Sequence, residues 1–114
     1  MATRIATIVG SLRRESINRK FAHALAMLAP ADFAFDFLEI GDLPLYDQDQ
    51  DAHQAEPVKR LKQQVRESQG VVFVTPEYNR SVPGVLKNAI DNASRPYGDS
   101  AWAGKPVAVM GASI

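Results

Sequence analysis

Short apolar runs alternate with helical periodicities along the chain. Ile5 to Val9 is a continuous apolar and β-branched run that stops at Gly10, and it predicts a buried strand. A helix follows from about Asn18 to Ala29, with Phe21, Leu25 and Leu28 spaced to share one face, and Pro30 ends it. Phe33, Phe35 and Phe37 alternate with Ala34 and Asp36, so Phe33 to Ile40 reads as a second strand, and its clean alternation suits the sheet edge. Pro57 suits the start of a second helix, with Val58, Leu61 and Val65 turned inward and Lys59, Arg60, Lys62, Arg66 and Glu67 turned to water. Gly70 to Val74 is a third apolar strand. Val85, Leu86, Ala89 and Ile90 mark a third helix running to about Asn92, and Val107 to Gly111 is a fourth strand. The order β-α-β-α-β-α-β predicts an α/β domain with a parallel sheet, right-handed crossovers and helices on both faces.

No helix follows the last strand, whose apolar face is therefore expected to be covered by another subunit or to belong to a larger fold of which this is a shortened version. At 114 residues, positions 1–114 read as a single domain. A charged fraction of 23% and zero formal net charge argue against a nucleic-acid or membrane-surface role, either of which favours a basic excess. The absence of cysteine excludes disulfides, thiolate zinc sites and cysteine nucleophiles. No apolar run has the length of a membrane span, and a strand begins within a few residues of Met1, so a cytoplasmic location is expected.

The richest chemistry lies in Thr75-Pro76-Glu77-Tyr78-Asn79-Arg80-Ser81-Val82-Pro83-Gly84, between the third strand and the third helix. Ligands of open α/β sheets bind at this edge, the carboxyl ends of the strands. Pro76 and Pro83 stiffen the turn, and Ser81 is a candidate cap for the helix. Glu77, Tyr78, Asn79 and Arg80 would then offer a flat heterocycle polar groups at its edge and an aromatic wall.

The first loop, Gly10 to Asn18, leads into a helix amino terminus, which suits phosphate. It matches neither a Walker loop nor Gly-x-Gly-x-x-Gly. Ser11, Ser16 and Asn18 are candidate donors to phosphate oxygens, with Arg13 or Arg14 adding charge. The same residues are equally consistent with a plain helix cap and solvated arginines. Gly111-Ala112-Ser113 forms a third loop at the same edge, so a mononucleotide could place its phosphate on the first loop and its ring between the other two. His23 and His53 form no site by spacing, and Asp47, Asp49 and Asp51 lack the glycine kink and closing Glu of a calcium loop. Tyr46 is read equally as packing under its loop or as touching a ligand, and Trp102 is expected at the sheet edge or at a subunit contact.

Gly10-Ser11-Leu12-Arg13-x-x-Ser16-x-Asn18, Leu43-Pro44-Leu45-Tyr46-Asp47-x-Asp49, Thr75-Pro76-Glu77-Tyr78-Asn79-x-Ser81-x-Pro83-Gly84-x-Leu86-Lys87-Asn88-Ala89-Ile90-Asp91 and Gly104-Lys105-Pro106 together resemble the NADPH-dependent FMN reductase family. This flavodoxin-like group includes chromate and quinone reductases and azoreductase relatives. The resemblance covers essentially the whole chain. It implies a flavodoxin-like three-layer sandwich with strand order 2-1-3-4, the family's fifth strand being absent from this chain, which stops at Ile114 within the third loop. It places the FMN phosphate on Ser11, Arg13, Ser16 and Asn18, and the isoalloxazine ring among Pro76, Glu77, Tyr78 and Asn79, with Arg80 at the edge and Ser113 contributing from the third loop.

The resemblance further implies hydride transfer from NAD(P)H to the flavin, then electron delivery to a small-molecule acceptor: a quinone, free flavin, an azo dye or a metal oxyanion. No side chain need act as a catalytic acid or base. A homodimer or homotetramer is the implied assembly. Asn92 stands where the family usually has an aromatic residue, a difference that bears on a subunit contact or on the flavin surroundings. Two alternatives belong to other classes. A flavodoxin-type electron carrier would favour a Thr/Ser-rich phosphate loop and an acidic surface, unlike Gly10-Ser11-Leu12-Arg13 and zero net charge. A shortened, non-catalytic domain would remain folded without holding flavin.

Overall fold

β1 (Thr3–Val9) forms the inner seam of a four-stranded parallel sheet in a computed structural model that describes residues 2–113. On one side β1 pairs with β2 (Phe33–Phe37), from Thr3 opposite Phe33 to Thr7 opposite Phe37. On the other it pairs with β3 (Gly70–Val74), from Ile5 opposite Gly70 to Val9 opposite Val74. β4 (Val107–Met110) extends β3, giving the order β2-β1-β3-β4. The crossovers carry α1 (Ile17–Leu28), α2 (Glu56–Arg66) and α3 (Gly84–Ala93), with a short 3-10 turn at Gln48–Gln50. This is the expected flavodoxin-like arrangement of helices on both faces of a parallel sheet.

The period-2 alternation of the strands divides the core between the two faces. Ala6 and Ile8 of β1 and Val71 and Phe73 of β3 face Leu61 and Val65 of α2 and Leu86, Ala89 and Ala93 of α3. Val9 and Val74 face Ala22 of α1, with Phe21, Leu25, Phe37, Val72 and Met110 packed beside them. Ile8, Leu61 and Leu86 are almost completely buried, and burying each stabilises the fold by about 1.5–3 kcal/mol. Among the described residues, no helix is long and apolar enough to cross a membrane.

Several local expectations need correction. Leu28 was expected on the buried face of α1, but the helix ends there and its side chain is exposed, so Phe21 and Leu25 carry that face. β2 ends at Phe37, short of the expected Ile40, although the Leu38 N–H still donates to the Thr7 carbonyl (3.0 Å). Lys62 was expected to face water and is 3% exposed. Its Nζ donates to the Arg95 carbonyl (2.6 Å), Asp99 Oδ2 (3.1 Å) and Gln54 Oε1 (3.3 Å). Trp102 lies against Phe73 and donates from Nε1 to the Ile90 carbonyl (3.1 Å), placing it over the α3 side of the sheet. Along β4, Val107 and Val109 remain exposed.

Candidate functional site at the carboxyl ends of the strands

The loops after β1, β3 and β4 meet at Thr75. The Gly10 N–H continues the ladder to the Val74 carbonyl (2.9 Å), and the Thr75 N–H continues it to the Met110 carbonyl (2.9 Å). Thr75 thus sits between two glycines. A Cβ on Gly10 would overlap the Thr75 side chain, and a Cβ on Gly111 would overlap the Thr75 carbonyl oxygen. Gly10 thus makes room for the Thr75 side chain, and Gly111 for its backbone. Motif spacing within any one loop carries no signal for this role of Thr75.

The loop after β1 gathers hydrogen-bond donors at the amino end of α1. Ser11 and Ser16 are buried at 6% and 4% exposure. Ser11 Oγ accepts the Arg13 N–H (3.3 Å), and Ser16 Oγ accepts the Arg19 N–H (3.2 Å) as the N-cap of α1. Each hydroxyl keeps its own proton to donate. The backbone N–H groups of Ser11, Leu12, Arg14, Glu15, Ile17 and Asn18 have no protein acceptor among the described residues. They cluster at the positive end of α1. Arg13 and Arg14 are exposed there and form no ion pair among the described residues. A donor set of this kind fits a phosphate.

The loop after β3 folds as a tight hairpin. The Tyr78 N–H donates to the Ser81 carbonyl (2.9 Å), and the Ser81 N–H returns the bond to the Tyr78 carbonyl (3.0 Å). Asn79 and Arg80 between them both take positive φ, at 53° and 64°. Two such residues in the middle of a four-residue turn are the signature of a type I′ hairpin. Ser81 therefore closes this turn and does not cap α3, whose N-cap is Pro83, without a side-chain cap bond. Pro76 is half-buried, whereas Glu77, Tyr78, Asn79 and Arg80 are exposed at the rim.

A cleft of about 290 Å³ runs between the two loops, lined by Gly10, Ser11, Leu12, Arg13 and Tyr78 with Pro83 and Gly84. A Cβ on Gly84 would meet nothing, so that wall stays open. Ser11, Arg13 and Tyr78 are thus brought to one cleft. Asn18 is 2% exposed, and its carboxamide engages the third loop: Oδ1 accepts the Ala112 N–H (2.8 Å) and Nδ2 donates to the Ala112 carbonyl (3.3 Å). Ser113 is the next residue of this loop, and Ile114 lies outside the described residues.

A smaller, more enclosed cavity of about 160 Å³, sharing no lining residue with this cleft, lies under Pro44 to Asp47 and is bounded by Asp51, Val58 and Asn92. Its wall is a side-chain network. Tyr46 Oη donates to Asp51 Oδ1 (3.1 Å), and Arg95 Nη2 donates to Asp51 Oδ2 (2.5 Å). The Arg95 hydrogen bond holds the Asp51 carboxyl below its usual range, while partial burial and then the bond to Asp51 push the Tyr46 phenol up. The Arg95 guanidinium also stacks 4.0 Å from the ring centroid of Tyr97. Asn92 Nδ2 donates to the Pro44 carbonyl (3.0 Å), so this residue is buried inside the subunit as a brace for the loop.

The sequence profile of NADPH-dependent FMN reductases matches residues 3–114. A relative from Burkholderia sp, named 2-hydroxy-1,4-benzoquinone reductase, is 60% identical over 114 residues, which are all of this chain and 62% of the relative. A quinone reductase of Escherichia coli K12 is 47% identical over 113 residues, covering 96% of this chain and 60% of that protein. The solved structure of FerB, a flavoenzyme NAD(P)H:(acceptor) oxidoreductase from Paracoccus denitrificans, superposes with a TM-score of 0.93 at 50% identity, over 98% of this chain and 62% of that one. The chain therefore spans less than two thirds of the length of these proteins. With the loop motifs, the sheet order and the profile in agreement, the chain belongs to the NADPH-dependent FMN reductase family.

Proposed function

We propose that this chain forms the flavin-binding part of an FMN-dependent NAD(P)H oxidoreductase acting on small-molecule acceptors, with quinones as the first class to test. The observation that carries this reading is the convergence of three strand-end loops on Thr75, beside a cradle of unpartnered backbone N–H groups and an open cleft. When bound, FMN would supply the redox chemistry, accepting hydride from NAD(P)H and passing electrons to the acceptor.

The protein's own residues would bind and orient. Ser11 and Ser16 would donate hydrogen bonds from their hydroxyls to the phosphate, and Arg13 would add a charge-assisted contact from the rim. The helix dipole of α1 favours the phosphate charge further. Pro76 and the Tyr78–Ser81 hairpin form a stiff wall for the ring. Glu77 and Asn79 stand at its polar edge, Arg80 at its outer edge, and Ser113 adds a contact from the third loop. No protein group needs to exchange a proton with the acceptor, which suits a site whose rim residues are open to solvent.

Free flavin, azo dyes and metal oxyanions such as chromate are further acceptor classes. Homodimerisation or homotetramerisation, a cytoplasmic location and the absence of nucleic-acid or membrane partners complete the proposal. The exposed valines of β4 give self-association a physical motive. The direct test is anaerobic addition of NADPH to the FMN-loaded chain, followed by a quinone. Bleaching of the flavin band and its return on adding quinone are expected. A flavin band that persists in NADPH would contradict the proposed activity.

A further inference from the structure

We propose that Asn18 is a positioning residue that latches the loop after β4 to the amino terminus of α1, and is not itself a phosphate ligand. The proposal rests on the flavin-binding reading above and assigns this residue a different part in it. The carboxamide pairs with both the N–H and the carbonyl of Ala112, 94 positions away, as a neighbouring strand would. The side chain is 2% exposed, with its carboxamide committed to Ala112. Its backbone N–H, by contrast, lacks a protein acceptor among the described residues and is left for an anion.

Gly111 completes the latch. A Cβ there would lie 3.6 Å from Asn18 Oδ1 as well as overlapping the Thr75 carbonyl, so the third loop lies flat against both neighbours. Ser11 and Ser16 have a different arrangement, since each accepts one backbone N–H and keeps a proton to donate outward. In the Asn18 carboxamide, the sole acceptor and one donor are already engaged. The residue thus joins the loop that receives the phosphate to the loop that flanks the ring. Its loss should affect ring binding and phosphate binding alike.

FMN and riboflavin, which lacks the phosphate, separate the two roles. In the 114-residue chain, Asn18→Ala should weaken both flavins by the same factor, about tenfold for loss of a buried paired amide. In the flavin-free protein, amide exchange at Ala112 should accelerate while β4 and α1 keep their protection, a local change that general destabilisation would not produce. Asn18→Ser, too short to reach Ala112, should behave alike and serves if the alanine variant does not fold. Selective loss of FMN affinity with riboflavin unchanged would make Asn18 a phosphate ligand and overturn the proposal, as would unchanged exchange at Ala112. A wild-type chain that binds neither flavin would refute the flavin reading itself, and the positioning role with it.

Discussion

The carbonyl oxygen of Thr75 occupies the position where a side chain on Gly111 would begin. The contact is backbone against backbone, so neither partner can move aside as a flexible side chain would. Gly111→Ala should therefore cost about 1–3 kcal/mol, in the range of overpacking, whereas Gly84→Ala, with nothing within 4 Å, should be neutral or slightly stabilising. Urea denaturation of the two variants checks the contrast.

Arg80 is held at a φ of 64° without being glycine. Left-handed backbone costs a residue with a Cβ about 1–2 kcal/mol. Arg80→Gly should recover about 1 kcal/mol of stability by giving the hairpin the Asn-Gly pair that a type I′ turn prefers. A thermal melt that fails to rise would show that the Arg80 side chain offsets the strain.

Arg13 lines the cleft and has no ion-pair partner among the described residues. Arg13→Ala should weaken FMN binding by about 1–3 kcal/mol through loss of a charge-assisted phosphate contact. Riboflavin affinity should be almost unaffected. Equal losses for the two flavins would move Arg13 from the phosphate to the ring.

The carboxyls of Asp42, Asp51 and Asp99 are all held below their ordinary value of 3.8, first by hydrogen bonds from Arg60, Arg95 and Lys62 respectively. A lowered folded-state value means that the stability they confer is complete above the unfolded value and is lost as pH falls through the folded one. The denaturation midpoint should thus be level from about pH 7 to about pH 5 and fall below about pH 4. Asp99→Asn should flatten part of that fall. It should also destabilise more than Lys62→Met, because it leaves a buried ammonium without its counter-charge. Melts of both variants across this pH range provide the check.

The strands and helices were legible because their apolar positions repeat with a clear period. Ala6 and Ile8, or Leu61 and Val65, identify their faces without outside information. The loop chemistry was legible in kind but not in pairing. Ser81 looks like a helix cap in sequence, yet the hairpin positions its backbone opposite Tyr78 and leaves the cap to Pro83. Lys62 has the spacing of a solvated helix position, and two of its partners, Arg95 and Asp99, lie 33 and 37 residues onward in an irregular segment with no period. Thr75 and Ala112 stand in loops that the sequence singles out, but their pairing is not legible there. Their roles arise only where separate loops approach, and no local pattern encodes that approach.

The central claim, that the convergent loops hold FMN, is tested most directly by visible absorbance of the purified chain after loading with FMN and desalting. A flavin spectrum retained in stoichiometric amount, and lost together with Arg13, is the predicted result. A folded but colourless protein would contradict the account and leave the chain as the family's fold without its cofactor.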